Sequence, residues 1–286
     1  SSAIKRYADL FGVACGEKNI LLTNNDSAYE TAISLFQKGI NVEAIIDNRE
    51  EVDSKLIYEV KKNNIKIYKG FTVVNTSGYR RINKVSIMKL SKDGQKVVGS
   101  KINLSCDCLG ISGGWTPAVH LFTQSGGKLK FREEDQVFIP NTYPSDQISI
   151  GSCNGDLSLE DILINVPKSL KEFLNIKKTE YDDIEVLSSE NRSKRNIWLI
   201  PSDKVLGKTK SFVDFQNDAT AKDIKLALRE GFRSIEHVKR YTTTGMGTDQ
   251  GKLGNMHALG IISETAGTKM GEHGTTTFRP PYTPLT

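Results

Sequence analysis

Three short apolar runs separated by two helix-patterned stretches, all between Asn19 and Tyr68, constrain the fold of this chain more than any other feature. Asn19 to Thr23 reads as a strand and Asn24-Asn25-Asp26 as a turn, with Ser27 as a helix cap and Glu30 completing a capping box. Ala28, Ala32, Leu35 and Phe36 share one face of that helix, which Gly39 ends. Val42 to Ile46 is a second strand stopped by Asp47, a helix from about Asp53 carries Leu56, Ile57 and Val60, and Ile65 to Tyr68 is a third strand. Strands alternating with helices predict a parallel sheet with right-handed crossovers, because parallel neighbours need a connection long enough to return the chain to the same end.

The period then changes. Val73 to Thr76, Ile82 to Leu90 and Val97 to Leu104 read as a small antiparallel insert with a turn at Lys92-Asp93-Gly94, after which Cys108 to Ile111 returns to the main sheet. Pro117 starts a helix leading to His120 and Leu121, Gln147 to Ile150 is a short strand, and the stripe of Leu159, Ile162, Leu163 and Val166 ends before Pro167. Lys177 to Lys210 is polar apart from a strand candidate at Ile197 to Ile200. Beyond it, Thr220 and Asp223 box a helix with Ile224, Ala227 and Leu228, Ser234 caps one with Ile235, Val238 and Tyr241, and a third begins near Lys252. The expected fold is α/β: a nucleotide-binding-type parallel sheet with an antiparallel insert over residues 1–175, a linker with a short strand over 176–210, an all-helical module over 211–270 and an extended proline-containing tail over 271–286. Both ends read as parts of something longer.

Composition narrows the function classes. Thirty-nine Lys plus Arg against 34 Asp plus Glu give a net charge of +5, spread in pairs such as Lys61-Lys62 and Arg80-Arg81 with no stripe interleaved with aromatics, so no nucleic-acid role is inferred. The chain has no apolar run long enough to span a membrane and no cationic-then-hydrophobic leader, its mean hydropathy of −0.37 is ordinary for a soluble protein, and its cysteine usage favours a reduced, cytoplasmic setting. Its four cysteines form no Cys-x-x-Cys unit, and Cys106 and Cys108 are expected on one side of the sheet as small buried residues. The four histidines are too dispersed for a metal set and read as helix-face or interface groups.

Two places could hold an anion. The loop after the first strand, Thr23 to Ala28, lacks the glycines that let backbone approach a pyrophosphate, and Asp26 puts negative charge at the helix start. Asp47, ending the second strand, matches the carboxylate that receives a ribose hydroxyl, though Asp also ends ordinary strands. The richer segment is Thr242, Thr243, Thr244, Gly245, Met246, Gly247, Gln250 and Lys252, where hydroxyls, glycine amides and one cation crowd together as a phosphate requires. A plain inter-helix turn fits the same residues. Lys239-Arg240 is the neighbouring cationic pair. No reaction follows from the residues alone.

Several segments nevertheless carry a resemblance. Asp107 to Pro117 and Ile150 to Asp156 are similar to two late motifs of pyridine-nucleotide-disulfide-type flavoproteins. More specifically, Thr23 to Tyr29, Gln124 to Leu129, His237 to Thr243 and Gly274 to Pro284 resemble the alpha subunit of heterotetrameric sarcosine oxidase, with N-methylglutamate dehydrogenase subunits as a close alternative.

The resemblance implies a complex that oxidises a secondary amine, typically sarcosine, with FAD and substrate in a beta subunit, FMN at the alpha–beta interface, NAD in alpha, further small subunits, and tetrahydrofolate in another domain of alpha. It places this chain in the middle of alpha and the FMN contact zone near Thr242 to Lys252. The helical module also resembles a small iron–sulfur domain whose cysteines would fall around Asp214 to Gln216 and Thr248 to Gly251; none is a cysteine here, so no iron–sulfur cluster is expected. A noncatalytic scaffold with a vestigial nucleotide site is the rival reading, and a disulfide-type reductase has no redox cysteine pair to support it.

Overall fold

Residue by residue, the computed structural model describes positions 1–52, 56–144, 146–176, 196–202 and 210–279. They group into two compact units, one running to Gly114 and including residues 196–202, the other beginning at Trp115.

The first unit opens with helix α1 (Ser2–Phe11), then β1 (Asn19–Thr23), α2 (Ser27–Gln37), β2 (Val42–Asp47), α3 (Leu56–Lys62) and β3 (Lys66–Lys69). An insert follows, made of β4 (Phe71–Gly78), β5 (Ile82–Leu90) and β6 (Val97–Ser105), before β7 (Cys108–Ser112) returns. The four parallel strands lie in the order β3-β2-β1-β7, and the insert forms its own antiparallel sheet, β4-β5-β6. All five residues of β1 are buried, as expected of a strand covered on both faces. Leu21 and Ile45 pack with Ala28, Tyr29, Ala32 and Val60 on the helical side; Ile20, Leu22, Ala44 and Ile46 pack with Val85 and Ile87 of the insert on the other. The result is three layers: helices, parallel sheet and antiparallel sheet.

The predicted alternation is present, with local corrections. Helix α2 is capped at Asp26 without a side-chain bond, and Asn25 Oδ1 instead accepts the Ser27 amide at 3.1 Å, so the expected Ser27–Glu30 box does not form. The short side chain of Asn25 reaches that amide from within the preceding turn. Cys106 lies in the insert-side cluster and Cys108 packs against the helix-side cluster, because the chain leaves β6 before entering β7 and one strand does not hold both. Residues 197–200 form no strand; Ile200 packs against the insert-side cluster instead.

The second unit begins with α4 (His120–Gln124), the hairpin β8 (Lys128–Arg132) and β9 (Val137–Thr142), and α5 (Leu159–Phe173). The sequence division put the hairpin and α5 with the sheet, whereas here they group with the module. Residues 147–150 form no strand, although Ile150 itself is extended. Pro167 sits inside α5, which does not stop before it: the half-buried stripe continues from Val166 to Leu170 and outweighs one missing hydrogen bond. The module follows as β10 (Phe212–Asp214), β11 (Ala219–Thr220), α6 (Ala221–Arg229), α7 (Ile235–Thr242) and α8 (Asn255–Ala266). Asp223 accepts from the Thr220 amide at 2.9 Å, forming the predicted box. Helix α8 starts at Asn255, not near Lys252, since Gly251 to Gly254 form a turn. Residues 274–279 have neither helix nor strand; the prolines at 280, 281 and 284, the pairs Lys177-Lys178 and Lys194-Arg195, and the helix start at Asp53 lie outside the described residues.

Candidate functional site

In the first unit the C-terminal ends of β1 and β2 are where an open α/β sheet places a ligand. Here the crevice is filled from within. Arg49, only 4% exposed, donates to Asp47 Oδ2 at 2.8 Å through one guanidinium nitrogen, and the same nitrogen donates to Asp26 Oδ1 at 2.7 Å. Asp47 Oδ1 also accepts the Arg49 amide at 2.9 Å, and the Tyr29 hydroxyl donates to Asp47 Oδ2 at 2.9 Å. Burial works against the Arg49 charge, yet the bonds to Asp47 and Asp26 outweigh it and hold the guanidinium above its ordinary pKa. Burial, then the Asp47 charge, pushes the Tyr29 phenol well above the usual range.

Residues so engaged do not fit a dinucleotide. A ribose hydroxyl would have to displace Arg49 or Tyr29 from Asp47, and the Asp26 carboxylate occupies the helix start where a pyrophosphate would sit. NAD therefore has no cradle in this loop.

In the second unit, the segment from Thr242 to Lys252 joins α7 to the turn before α8. Thr242 donates to Val238 O at 2.8 Å, and its hydroxyl lies 2.8 Å from that of the buried Thr244. Gly245 has a φ of 71° and Gly251 of 73°, a backbone shape that favours glycine, and a Cβ at either would collide with Asn255 Oδ1.

The inner arm of this loop already holds an anion of its own. Asp214, at the end of β10, accepts the Gly245 amide at 2.7 Å, the Gln216 amide at 2.8 Å and the Asn217 amide at 3.3 Å. Met246 donates its amide to Thr243 O and Gly251 to Asp249 Oδ1, so these groups also turn inward. Met246 and Lys252 have exposed side chains, and the Gly247-Thr248-Asp249 arm lies over Gln216, with Thr248 Oγ1 donating to Gln216 Oε1 at 3.5 Å. The inner arm is therefore taken. Gln250 Oε1 accepts the Arg279 amide at 3.2 Å, which ties the tail to the loop. Lys239 is buried on α7, and burial lowers its pKa, against the nearby charge of Glu236.

The chain is similar to several known proteins. Residues 208–286 match the sarcosine oxidase A3 domain. Along its whole length the chain is 33% identical to sarcosine oxidase subunit alpha of Rhizobium meliloti (strain 1021) and 30% identical to that of Corynebacterium sp. (strain U-96). The chain is thus similar to one part of the sarcosine oxidase alpha subunits. It spans 28% and 30% of the length of these two relatives. Among solved structures, L-proline dehydrogenase from P.horikoshii has the same fold, with a TM-score of 0.55 at 18% identity over 98% of this chain and 51% of that one.

The structure brings Asp214 to Gln216 beside Thr248 to Gly251, with the Thr248 hydroxyl against the Gln216 side chain. Sequence reasoning missed the part played by Asp214, which lies 31 residues from Gly245 and shows only as the acidic end of a short apolar run. It also missed Arg49 and Tyr29. Their signal was present in the Asp47-Asn48-Arg49 spacing, which lets a guanidinium fold back on the carboxylate two residues before it. Among the described residues, no group of three or more His, Cys, Asp or Glu is arranged to hold a metal, and no helix is long and apolar enough to cross a membrane.

Proposed function

We propose that this chain is the middle of the alpha subunit of a cytoplasmic multi-subunit flavoenzyme that oxidises sarcosine to glycine, passes the one-carbon unit to tetrahydrofolate and forms peroxide. In this reading a beta subunit carries FAD and the amine, further small subunits complete the complex, and the remainder of alpha supplies the folate site. The chain's own part is to hold FMN at the boundary with the beta subunit and to support assembly; no iron–sulfur cluster belongs to it. The observation that carries the reading is the identity of 30–33%, along the whole of this chain, to a part of sarcosine oxidase alpha subunits.

When bound, FMN supplies one- and two-electron transfer. The residues of this chain place it: Lys252 and the outer arm from Gly247 to Asp249 receive the phosphate, while Asp214 fixes that arm through Gly245. Thr242 and Thr244 keep the end of α7 in register with the loop. A second reading, a noncatalytic scaffold, is favoured by one observation: the nucleotide crevice of the first unit is occupied by its own Arg49.

The absorption spectrum of the purified complex, compared with that of this chain alone, separates the two. Oxidised flavin in the complex beyond what the beta subunit holds by itself is the expected result. A stable complex with no flavin beyond that of the beta subunit overturns the FMN assignment and leaves the scaffold.

A further inference from the structure

Helix α1 lies against β7, where Gly110 leaves room for it: a side chain there would meet Ile4 at 2.7 Å. Gly12 ends the helix with a φ of 61°, and the chain turns back to the start of β7. Residues 16–18 are fastened there. Asp107 accepts the Glu17 amide at 2.9 Å and the Lys18 amide at 2.8 Å, and donates its own amide to Lys18 O at 3.2 Å. Gly16 lies directly against Cys108, since a side chain at Gly16 would stand 2.6 Å from the Cys108 Cβ.

These contacts bring together two thiols that no local motif joins. Cys15, the neighbour of Gly16, is exposed, and Cys108 is half-buried against the helix-side cluster. Burial is the first cause that pushes the Cys108 thiol up to about 11, and the nearby charge of Cys15 is the second. The other two cysteines are placed elsewhere: Cys106 packs in the insert-side cluster and Cys153 belongs to the second unit.

We propose that Cys15 and Cys108 form a reversible disulfide when the protein meets a peroxide, a redox-sensitive clasp between the segment after α1 and β7. Cys15 reacts first, because it is exposed while burial keeps Cys108 protonated at neutral pH. Its sulfur attacks one peroxide oxygen, the O–O bond breaks, and the thiol proton leaves with the other oxygen as water, giving a sulfenic acid. Cys108 then attacks the Cys15 sulfur. The S–S bond forms, the S–O bond breaks, and the departing hydroxyl takes the Cys108 proton as a second water. The two thiols lose two electrons and the peroxide gains them. Peroxide from any source suffices, so the inference rests neither on the FMN assignment nor on the amine chemistry.

Hydrogen peroxide added to the purified full-length protein at pH 7, followed by thiol blocking and peptide mapping by tandem mass spectrometry, tests the inference. The expected product joins Cys15 to Cys108, with fragmentation at Asp107 separating Cys108 from Cys106, and dithiothreitol returns both thiols. Cys15→Ser should lose the product. In Cys108→Ala the Cys15 sulfenic acid has no second thiol to meet, and dimedone should capture it there. Hydrogen exchange of the amides from Val13 to Lys18 should slow on oxidation of the unaltered protein and stay unchanged in Cys15→Ser. Cys15 left unmodified, oxidised without a partner, or linked to any cysteine other than Cys108 in the unaltered protein overturns the inference. A disulfide that leaves exchange from Val13 to Lys18 unchanged overturns the clasp.

Discussion

The carboxylate of Asp214 accepts the amide of Gly245 at 2.7 Å, joining the end of β10 to a loop 31 residues further along the chain. Asp214 is 6% exposed and also receives the amides of Gln216 and Asn217, so one buried carboxylate organises both loops. Removing it leaves several amides without an acceptor. Asp214→Ala should cost about 2–3 kcal/mol, measured by urea denaturation, and should speed hydrogen exchange at Gly245 relative to α6. An exchange rate at Gly245 equal to that of the unaltered protein would show that the carboxylate does not hold the loop.

Arg49 poses the matching problem in the first unit. Arg49→Met strips a shared cationic partner from two carboxylates, one of them fully buried, and should destabilise the unit by about 3–5 kcal/mol. Replacing Asp26 and Asp47 by Asn in the same protein should recover a large part of that loss. Titration with NAD should produce no stabilisation that depends on Asp47; a rise in Tm with NAD that Asp47→Asn removes would show that the crevice opens.

The thiols should separate by reactivity. Cys15 is exposed, Cys106 is buried with its pKa raised by burial, and Cys108 is pushed up to about 11, by burial first and then by the neighbouring Cys15 and Asp107. Iodoacetamide at pH 8 should label Cys15 well before either of the others, read by peptide mass spectrometry. Because the folded-state value of Cys108 lies above its unfolded one, its contribution to stability is present below the ordinary thiol pKa of about 8.5 and is lost as pH rises towards 11. Cys108→Ala should flatten that alkaline loss.

His120 gives the opposite pH dependence. Its pKa is lowered, so the native state favours the neutral ring and the unfolded chain takes up the proton first. Its contribution is present above the ordinary imidazole value of about 6.5 and is lost as pH falls through the lower folded value. The fall in Tm between pH 7.5 and pH 5 should therefore be smaller in His120→Gln than in the unaltered protein.

What the sequence made legible was set by period and by local chemistry. The alternation over β1, β2 and β3 was readable because each strand centres on a short apolar group, interrupted only by Glu43 in β2 and bounded by Lys66 and Lys69 in β3, and each crossover helix shows its face at 3.6 spacing. The Thr220–Asp223 box was readable because both partners lie within one turn. The β8–β9 hairpin escaped notice since Lys128, Lys130 and Arg132 alternate with only Leu129 and Phe131, a weak pattern that needs its partner strand to be recognised. Asp47 stood out in the sequence as a strand-end carboxylate suited to a ribose hydroxyl, whereas its partner Tyr29 lies on α2 and meets it only once β1 and β2 have paired. In the loop, the glycines and threonines stood out, whereas Asp214 did not, because its role depends on the packing of the module and not on its neighbours in sequence.

The direct test of the whole account is flavin retention in the assembled complex after Lys252→Ala. Phosphate held by Lys252 and the outer arm predicts FMN loss of about tenfold or more on gel filtration, with FAD and subunit assembly kept. FMN retained in full by that variant would contradict it.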